Sequence, residues 1–231
     1  MIPKKIFMTY KNKNLPTRVF DRWKRLNKDC EICFYEDSDC LSFLKKEFNS
    51  DVAELFNSMN RGAYKADLFR LCVLYKYGGV YVDVDSFPYE PIKEIVGNSD
   101  FVTAMSINPN SIFQSFIATI PENPLIMGCI DSLLKEKGNK KYWDTWNITT
   151  YNMYDALKFL LPSNALVANK TTEVSITGFS RSILVRFLEE YTDTGRWQDS
   201  LVRYNNIKLI KSRDLAFLEH DWEKLTNELL M

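Results

Sequence analysis

Asp67, Arg70, Asp83 and Asp85 bring three carboxylates and one guanidinium into the stretch from Arg61 to Asp85. Asp83 and Asp85 close the β-branched run Val80-Tyr-Val-Asp-Val84, and period-two alternation predicts both acids on one strand face, with Val82 and Val84 on the other. Like charges so close repel unless something positive neutralises them. A hard divalent cation, Mn²⁺ or Mg²⁺, is the natural neutraliser, because it takes oxygen ligands and keeps water in its shell. The carboxyl end of a strand in an open α/β sheet is also where ligands bind.

These side chains need elements to hold them. Gly62 to Tyr77 is the strongest helical stretch in the chain, and it stops at Gly78-Gly79. At about 100° per residue, Lys65 and Lys76 fall within about 20° of each other, while Asp67 and Arg70 lie roughly 160° away. Almost everything else on this helix is apolar. The lysines therefore mark a wet edge, and Asp67 and Arg70 point to the packed side, where unpaired charge is costly. The plainer alternative is an (i, i+3) ion pair on a solvated face, worth about 0.2–0.5 kcal/mol. The helix taken alone leaves both readings open.

Around this centre the patterning alternates. Strands are predicted at residues 6–10, 31–35, 101–105, 113–118 and 207–210, and helices at about 16–28, 38–48, 51–59, 123–136, 150–161 and 179–191. This alternation predicts an α/β fold, a mostly parallel sheet flanked by helices, as a single domain over residues 1–231.

Composition removes whole classes of function. Lys+Arg 30 balance Asp+Glu 30, so no cationic field exists to make nucleic acid the main partner. One histidine, His220, rules out a His-rich metal cage. The five cysteines are an odd number, which fits a reduced compartment. Cys30 and Cys33 form a CxxC with no second half, so Cys33 reads as an apolar residue of a strand over 31–35. No apolar run nears the ~20 residues that span a bilayer, and no secretory leader is evident at the start. The expected location is cytoplasmic, with peripheral membrane association left open.

At this point the motifs carry a resemblance. Gly62-Ala-Tyr-Lys-Ala-Asp67, Arg70, Tyr77-Gly-Gly-Val-Tyr81 and Asp83-Val-Asp85 resemble the DXD-containing sugar-binding region of glycosyltransferase family 32. That region also occurs in the glucosyltransferase domains of large clostridial toxins, and the family includes capsular polysaccharide enzymes and the yeast initiating mannosyltransferase. Ile2-Pro-Lys-Lys-Ile6 resembles the family's opening strand, with Phe7 where histidine is usual. Asn123-Pro124 and Ile176-Thr-Gly178 resemble later segments, the latter with Phe179 replacing proline, and His220-Asp-Trp222 resembles a terminal element.

The resemblance implies a GT-A fold of Rossmann-like type and sugar transfer from a nucleotide-sugar donor, usually with Mn²⁺ and with retention. By position, Asp85 would ligate the metal directly, and Asp83 would contact the donor ribose or reach the metal through water. Asp67 would bind donor-sugar hydroxyls and Arg70 would steady the sugar or diphosphate. Tyr81 would flank the nucleotide, Met8, Thr9 and Tyr10 would hold the base, and Gly79 joins the donor-binding set. His220 would close the metal shell; otherwise it is an ordinary surface histidine. The acceptor would be a glycan or a lipid-linked saccharide.

Two rivals differ in class. A phosphatase-like hydrolase would use Asp83 as nucleophile and Asp85 as general acid, but its DxD strand belongs near the chain start and a Gly-Asp should follow downstream, and neither holds here. A non-catalytic nucleotide-sugar-binding module would have had no need to keep all four charged residues. The aromatic group Tyr142-Trp143, Trp146, Tyr151 and Tyr154 could line an acceptor groove or belong to the core.

Overall fold

The computed structural model describes residues 1–12, 18–167, 170–193, 195 and 199–213. In chain order the elements are β1 (Lys5–Tyr10), α1 (Arg18–Leu26), β2 (Glu31–Glu36), α2 (Asp37–Glu47), α3 (Ser50–Ser58), α4 (Gly62–Tyr77), β3 (Gly79–Val82) and β4 (Ser86–Pro88). There follow α5 (Ile92–Val96), β5 (Phe101–Met105), β6 (Ile112–Thr119), α6 (Pro124–Lys135), α7 (Lys140–Trp143) and α8 (Ile148–Leu160). The final elements are β7 (Thr172–Ile176), β8 (Ile183–Thr192), β9 (Asp199–Tyr204) and β10 (Ile207–Arg213).

One ten-stranded sheet runs β2-β1-β3-β6-β5-β8-β9-β10-β4, with β7 paired to β8. The α/β class stands, while the sheet expected to be mostly parallel is mixed. β1–β2, β1–β3 and β5–β8 are parallel; β6 lies antiparallel to both its neighbours, as do the strands after β8. Alternation along each strand feeds two cores. Phe7 and Tyr81 enter the core under α2, α3, α4, α6 and α8, whereas Ile6, Met8, Val80 and Val82 enter the core shared with α1, α5 and β4.

Three local expectations are corrected. The segment 179–191, predicted helical, is strand β8. Its Ile-Leu-Val-Arg-Phe-Leu run is rich in β-favouring residues and pairs with β5, β7 and β9, so tertiary pairing decides its state. β7 and β9, too short or too polar to stand out in the sequence, exist through that pairing. Thirdly, β3 ends at Val82, and Asp83 to Asp85 turn over, with the Ser86 N–H donating to the Asp83 carbonyl at 2.9 Å. The two acids therefore share a turn rather than a strand face.

α4 ends where the sequence places it. The Gly78 N–H donates to the Leu74 carbonyl at 2.8 Å, and the backbone there, φ 61° and ψ −170°, is a region only glycine enters cheaply. A Cβ at Gly78 would lie 2.6 Å from Pro121 and 2.9 Å from Pro3. This close approach is what lets the chain reverse straight from α4 into β3. Among the described residues no helix is long and apolar enough to cross a membrane.

Gly78→Ala combines a forbidden dihedral with a clash against two rigid prolines, and is expected to cost about 1–3 kcal/mol. Urea unfolding should show a lower midpoint at unchanged slope. An unmoved midpoint would mean that Pro3 and Pro121 yield freely.

Candidate active site

The site assembles where α4, the end of β3, the start of β6 and α8 converge. α4 is apolar on most sides, and its charged pair Asp67 and Arg70 is 6% and 3% exposed, whereas Lys76 reaches out to Glu47 at 2.9 Å. The pairing foreseen as a surface alternative does occur, but in the interior.

Arg70 is the hub. Its Nη2 lies 3.0 Å from Asp67 Oδ1 and 3.1 Å from Asp83 Oδ1. Nε donates to the Ala66 carbonyl at 3.2 Å, and Nη1 donates to the Gln114 carbonyl. The guanidinium plane also covers the Tyr81 ring, 4.5 Å from its centroid. A planar fork with several donors is required to serve so many acceptors at once. Asp67 is completed from the other side by the Thr149 hydroxyl on α8, and the Thr149 carbonyl accepts from Gln114 Nε2 at 2.9 Å. The loop closes on itself: Arg70 to Gln114, Gln114 to Thr149, Thr149 to Asp67, Asp67 to Arg70.

The electrostatics follow from burial. Desolvation pushes the Asp67 carboxyl up, opposed by Arg70 and Thr149. Burial alone would lower Arg70, but attraction to the Asp83 and Asp67 carboxylates outweighs it and holds the guanidinium above its usual value. The Tyr81 phenol is raised by burial and by the Asp83 charge, so it stays protonated. Asp83 itself is partly exposed, since its side chain keeps 27% of its surface. The turn that carries it is anchored on both sides. The Asp83 N–H donates to the Ser115 carbonyl at 3.1 Å, and the Ser86 carbonyl accepts from the buried Trp23 indole at 2.8 Å.

Two cavities meet at this turn, and Ala63, Arg70, Asp83 and Asp85 line both. The smaller, about 300 Å³, is closed by Thr9, Tyr10, Asp37, Cys40, Phe56 and Lys65 among others. Thr9 Oγ1 is 2.9 Å from the Tyr35 carbonyl and 3.2 Å from Cys40 Sγ, and the Cys40 thiol is pushed up to about 12 by burial. The larger, about 730 Å³, opens between Asp67, Gln114, Trp146, Thr149 and Glu190. The turn is the wall between them.

The sequence-predicted residues thus divide. Asp67, Arg70, Asp83 and Asp85 come together around the larger cavity, and Thr9 and Tyr10 line the smaller cavity with Arg70, Asp83 and Asp85. Tyr81 underlies Arg70 without lining either cavity. Met8 is fully buried in the core of the α1 side, and Gly79 begins β3, where a Cβ would meet the Lys5 carbonyl at 2.8 Å. His220 lies outside the described residues. Of the aromatic group, Trp143 and Tyr154 pack against the core, while Trp146 is 68% exposed and lines the larger cavity. Asp37, Gln114, Thr149 and Glu190 have no local signal in the sequence, and only tertiary contact brings them here; Lys65, read as marking the wet edge of α4, lines the smaller cavity.

Residues 16–102 match the family model described as "Glycosyltransferase sugar-binding region containing DXD motif". This segment is similar to that family. It holds α4 and the Asp83–Asp85 turn, the parts on which both cavities depend. Relatives of the family segment extend further along the chain. The chain is 30% identical over 109 residues to the "Initiation-specific alpha-1,6-mannosyltransferase" of Candida albicans, covering 43% of this chain and 28% of that protein. It is 26% identical over 152 residues to "Inositol phosphoceramide mannosyltransferase 1" of Schizosaccharomyces pombe, covering 62% and 45% respectively. The chain therefore spans less than half the length of these relatives. In fold, it is similar to the solved "PaToxG Glycosyltransferase", with a TM-score of 0.55 at 17% identity over 70% of each chain. The α/β architecture is similar to the fold of that solved protein.

Removing the hub should be costly. Arg70→Met leaves Asp67 buried without its countercharge and is expected to lower stability by about 3–5 kcal/mol. Arg70→Lys keeps the charge but not the fork and should lose less. Chemical denaturation of the two variants measures this, and equal stability of Arg70→Met and wild type would remove Arg70 from its place as hub.

Proposed function

We propose that this chain transfers a hexose from a nucleotide-sugar donor, carrying UDP or GDP, to a hydroxyl of a glycan or lipid-linked acceptor, with retention. The observation that carries this reading is the line Asp67–Arg70–Asp83, held between two cavities that share the Asp83–Asp85 turn. Such a wall suits a reaction that joins two substrates across one bond. The smaller cavity then takes the nucleotide, with Thr9 and Tyr10 at the base, and Met8 and Gly79 shape the strands behind them. The larger cavity takes the sugar and the group that accepts it. The relatives' names favour mannose as the hexose, and a role in polysaccharide or glycolipid synthesis is part of the proposal.

The donor set at the turn fits a hard cation in part. Asp83 and Asp85 offer carboxylate oxygens at a cavity mouth, the chemistry Mn²⁺ and Mg²⁺ select. Among the described residues no group of three His, Cys, Asp or Glu side chains surrounds one point, so water and diphosphate oxygens would make up the shell, with His220 a further candidate ligand. A cation there would offset charge gathering on the leaving diphosphate. The chain's own contribution is orientation. Arg70 is fully occupied by Asp67, Asp83 and two carbonyls, so it fixes both acids, and Asp67 in turn presents its carboxylate to sugar hydroxyls. Asp83 has an oxygen engaged by Arg70, which leaves Asp85 as the principal ligand in this proposal. No carboxylate is assigned as a glycosyl nucleophile.

Nucleoside diphosphate release from UDP- and GDP-hexoses, with Mn²⁺ and with EDTA, tests the reading. Release should require the metal, and Asp85→Asn should reduce it by at least about 10²-fold without shifting the unfolding midpoint, as expected when a group acting on developing charge is lost. Near-normal turnover of Asp85→Asn at saturating Mn²⁺ would remove Asp85 as the metal ligand. Release of phosphate from simple phosphomonoesters would favour the hydrolase alternative.

A further inference from the structure

The larger cavity has a second polar wall, remote in sequence from the DXD turn. Glu190 on β8 is 6% exposed, and one of its oxygens is fully committed. Oε2 accepts from Ser106 Oγ at 2.7 Å and from the Ile107 N–H at 3.0 Å. The same Ser106 Oγ accepts from the Asn108 N–H at 3.2 Å, and the Ser106 N–H donates to the Ser111 carbonyl at 3.1 Å. The β5–β6 loop is therefore folded around one side of the carboxylate. Oε1 takes no hydrogen bond from any described residue, and Glu190 lines the cavity.

Gln114 adds an independent acceptor on the same cavity wall. Its Nε2 is held by the Thr149 carbonyl, which fixes the amide orientation. Its Oε1 is left buried with no hydrogen-bond partner, and such an acceptor is costly until a donor reaches it. Both open positions are thus acceptors. The charged groups lining this cavity are the carboxylates of Asp67, Asp83, Asp85 and Glu190 against the single guanidinium of Arg70, which is already engaged. With a cation at the turn taken up by the donor's diphosphate, the remaining carboxylates disfavour a further anion in this cavity. Hydroxyl groups, as donors, are what it lacks. Trp146, 68% exposed and with the Arg61 guanidinium 5.0 Å from its ring centroid, offers its other aromatic face for the C–H side of a ring.

We infer that Glu190 and Gln114 form an acceptor subsite in the larger cavity for an uncharged, polyhydroxylated ring, and that this subsite discriminates against phosphorylated rings. The inference deepens the proposed function and rests on it for the word acceptor. Glu190 binds a ring hydroxyl through Oε1, Gln114 receives a second through its amide oxygen, and neither group takes part in breaking the donor bond.

The test is binding of a small probe, followed by saturation-transfer-difference NMR titration of methyl α-D-mannopyranoside and of mannose 6-phosphate. The neutral probe is expected to bind the wild-type protein at least about fivefold more tightly than the phosphate. Glu190→Gln is the informative variant. Ser106 and Ile107 are both donors, so they hold the amide oxygen and turn the NH₂ to the cavity. The neutral probe should weaken about fivefold, because the charged acceptor facing the cavity is replaced by a neutral amide donor, and discrimination against the phosphate should narrow. The inference is overturned if the phosphate binds the wild type as well as the neutral probe does, or if Glu190→Gln leaves both constants unchanged. The wild-type comparison needs no variant, so it decides even if Glu190→Gln folds poorly. Metal-dependent donor hydrolysis by the wild type, without any polyol, reads the proposed function separately. Hydrolysis without probe binding overturns the subsite alone; Glu190-dependent binding without hydrolysis of any nucleotide-sugar overturns the transferase reading and leaves a polyol site.

Discussion

A buried guanidinium is the constraint on which the rest of the site depends. Arg70 has been removed from water, and its charge is tolerable only because Asp67, Asp83 and two backbone carbonyls surround it. Those partners come from three places: Asp67 and Ala66 from the same helix, Asp83 from just past β3, and Gln114 from β6. Satisfying Arg70 thereby fixes the mutual positions of a helix and two strands. Thr149 extends the requirement to α8. The polar ring is dispersed in sequence but contiguous in space, and a partial version of it would be worse than none.

The same arrangement explains how a chain with no net charge can carry a strongly polarised centre. Lysines such as Lys76 and Lys137 make exposed pairs with Glu47, Asp51 and Glu54, which contribute little individually. Among the described residues, the carboxylates lining the larger cavity have Arg70 as their one cationic neighbour on its walls. The balance is global and the imbalance local, so the region around the turn is primed to accept either a cation or neutral hydrogen-bond donors.

Much of this was legible in the sequence where one element decides it. The phase of α4 separated Asp67 and Arg70 from the lysines because a long helix has a fixed angle per residue. Gly78-Gly79 marked its end because positive φ is expensive elsewhere. Legibility failed where pairing partners decide. Asp83 and Asp85 looked like strand residues, since nothing local shows that β3 stops at Val82 and that the chain is drawn aside towards β10. Residues 183–192 carried enough apolar spacing to pass for a helix, yet three neighbouring strands hold them extended. Thr149, Gln114 and Glu190 had no signal at all, because an isolated Thr, Gln or Glu acquires meaning only from what it faces. Met8 illustrates the reverse: adjacent to Thr9 in sequence, it points to the opposite core by simple alternation.

The pairing of β4 with β10 bears on the order in which the molecule can be built. Ser86, the residue directly after the DXD turn, is aligned with Ser212, 126 positions later. α4, β3 and their helical neighbours can collapse through contacts close in sequence, and α1 holds the exit of the turn through Trp23 and Arg22, but β4 gains its strand partner only with the last strand. Closing so long a loop is entropically slow. The segment that leaves the turn thus shares a long-range constraint with the last described strand, so shortening the chain within β10 would unpair β4 while leaving the Arg70 contacts to Asp67 and Asp83 in place.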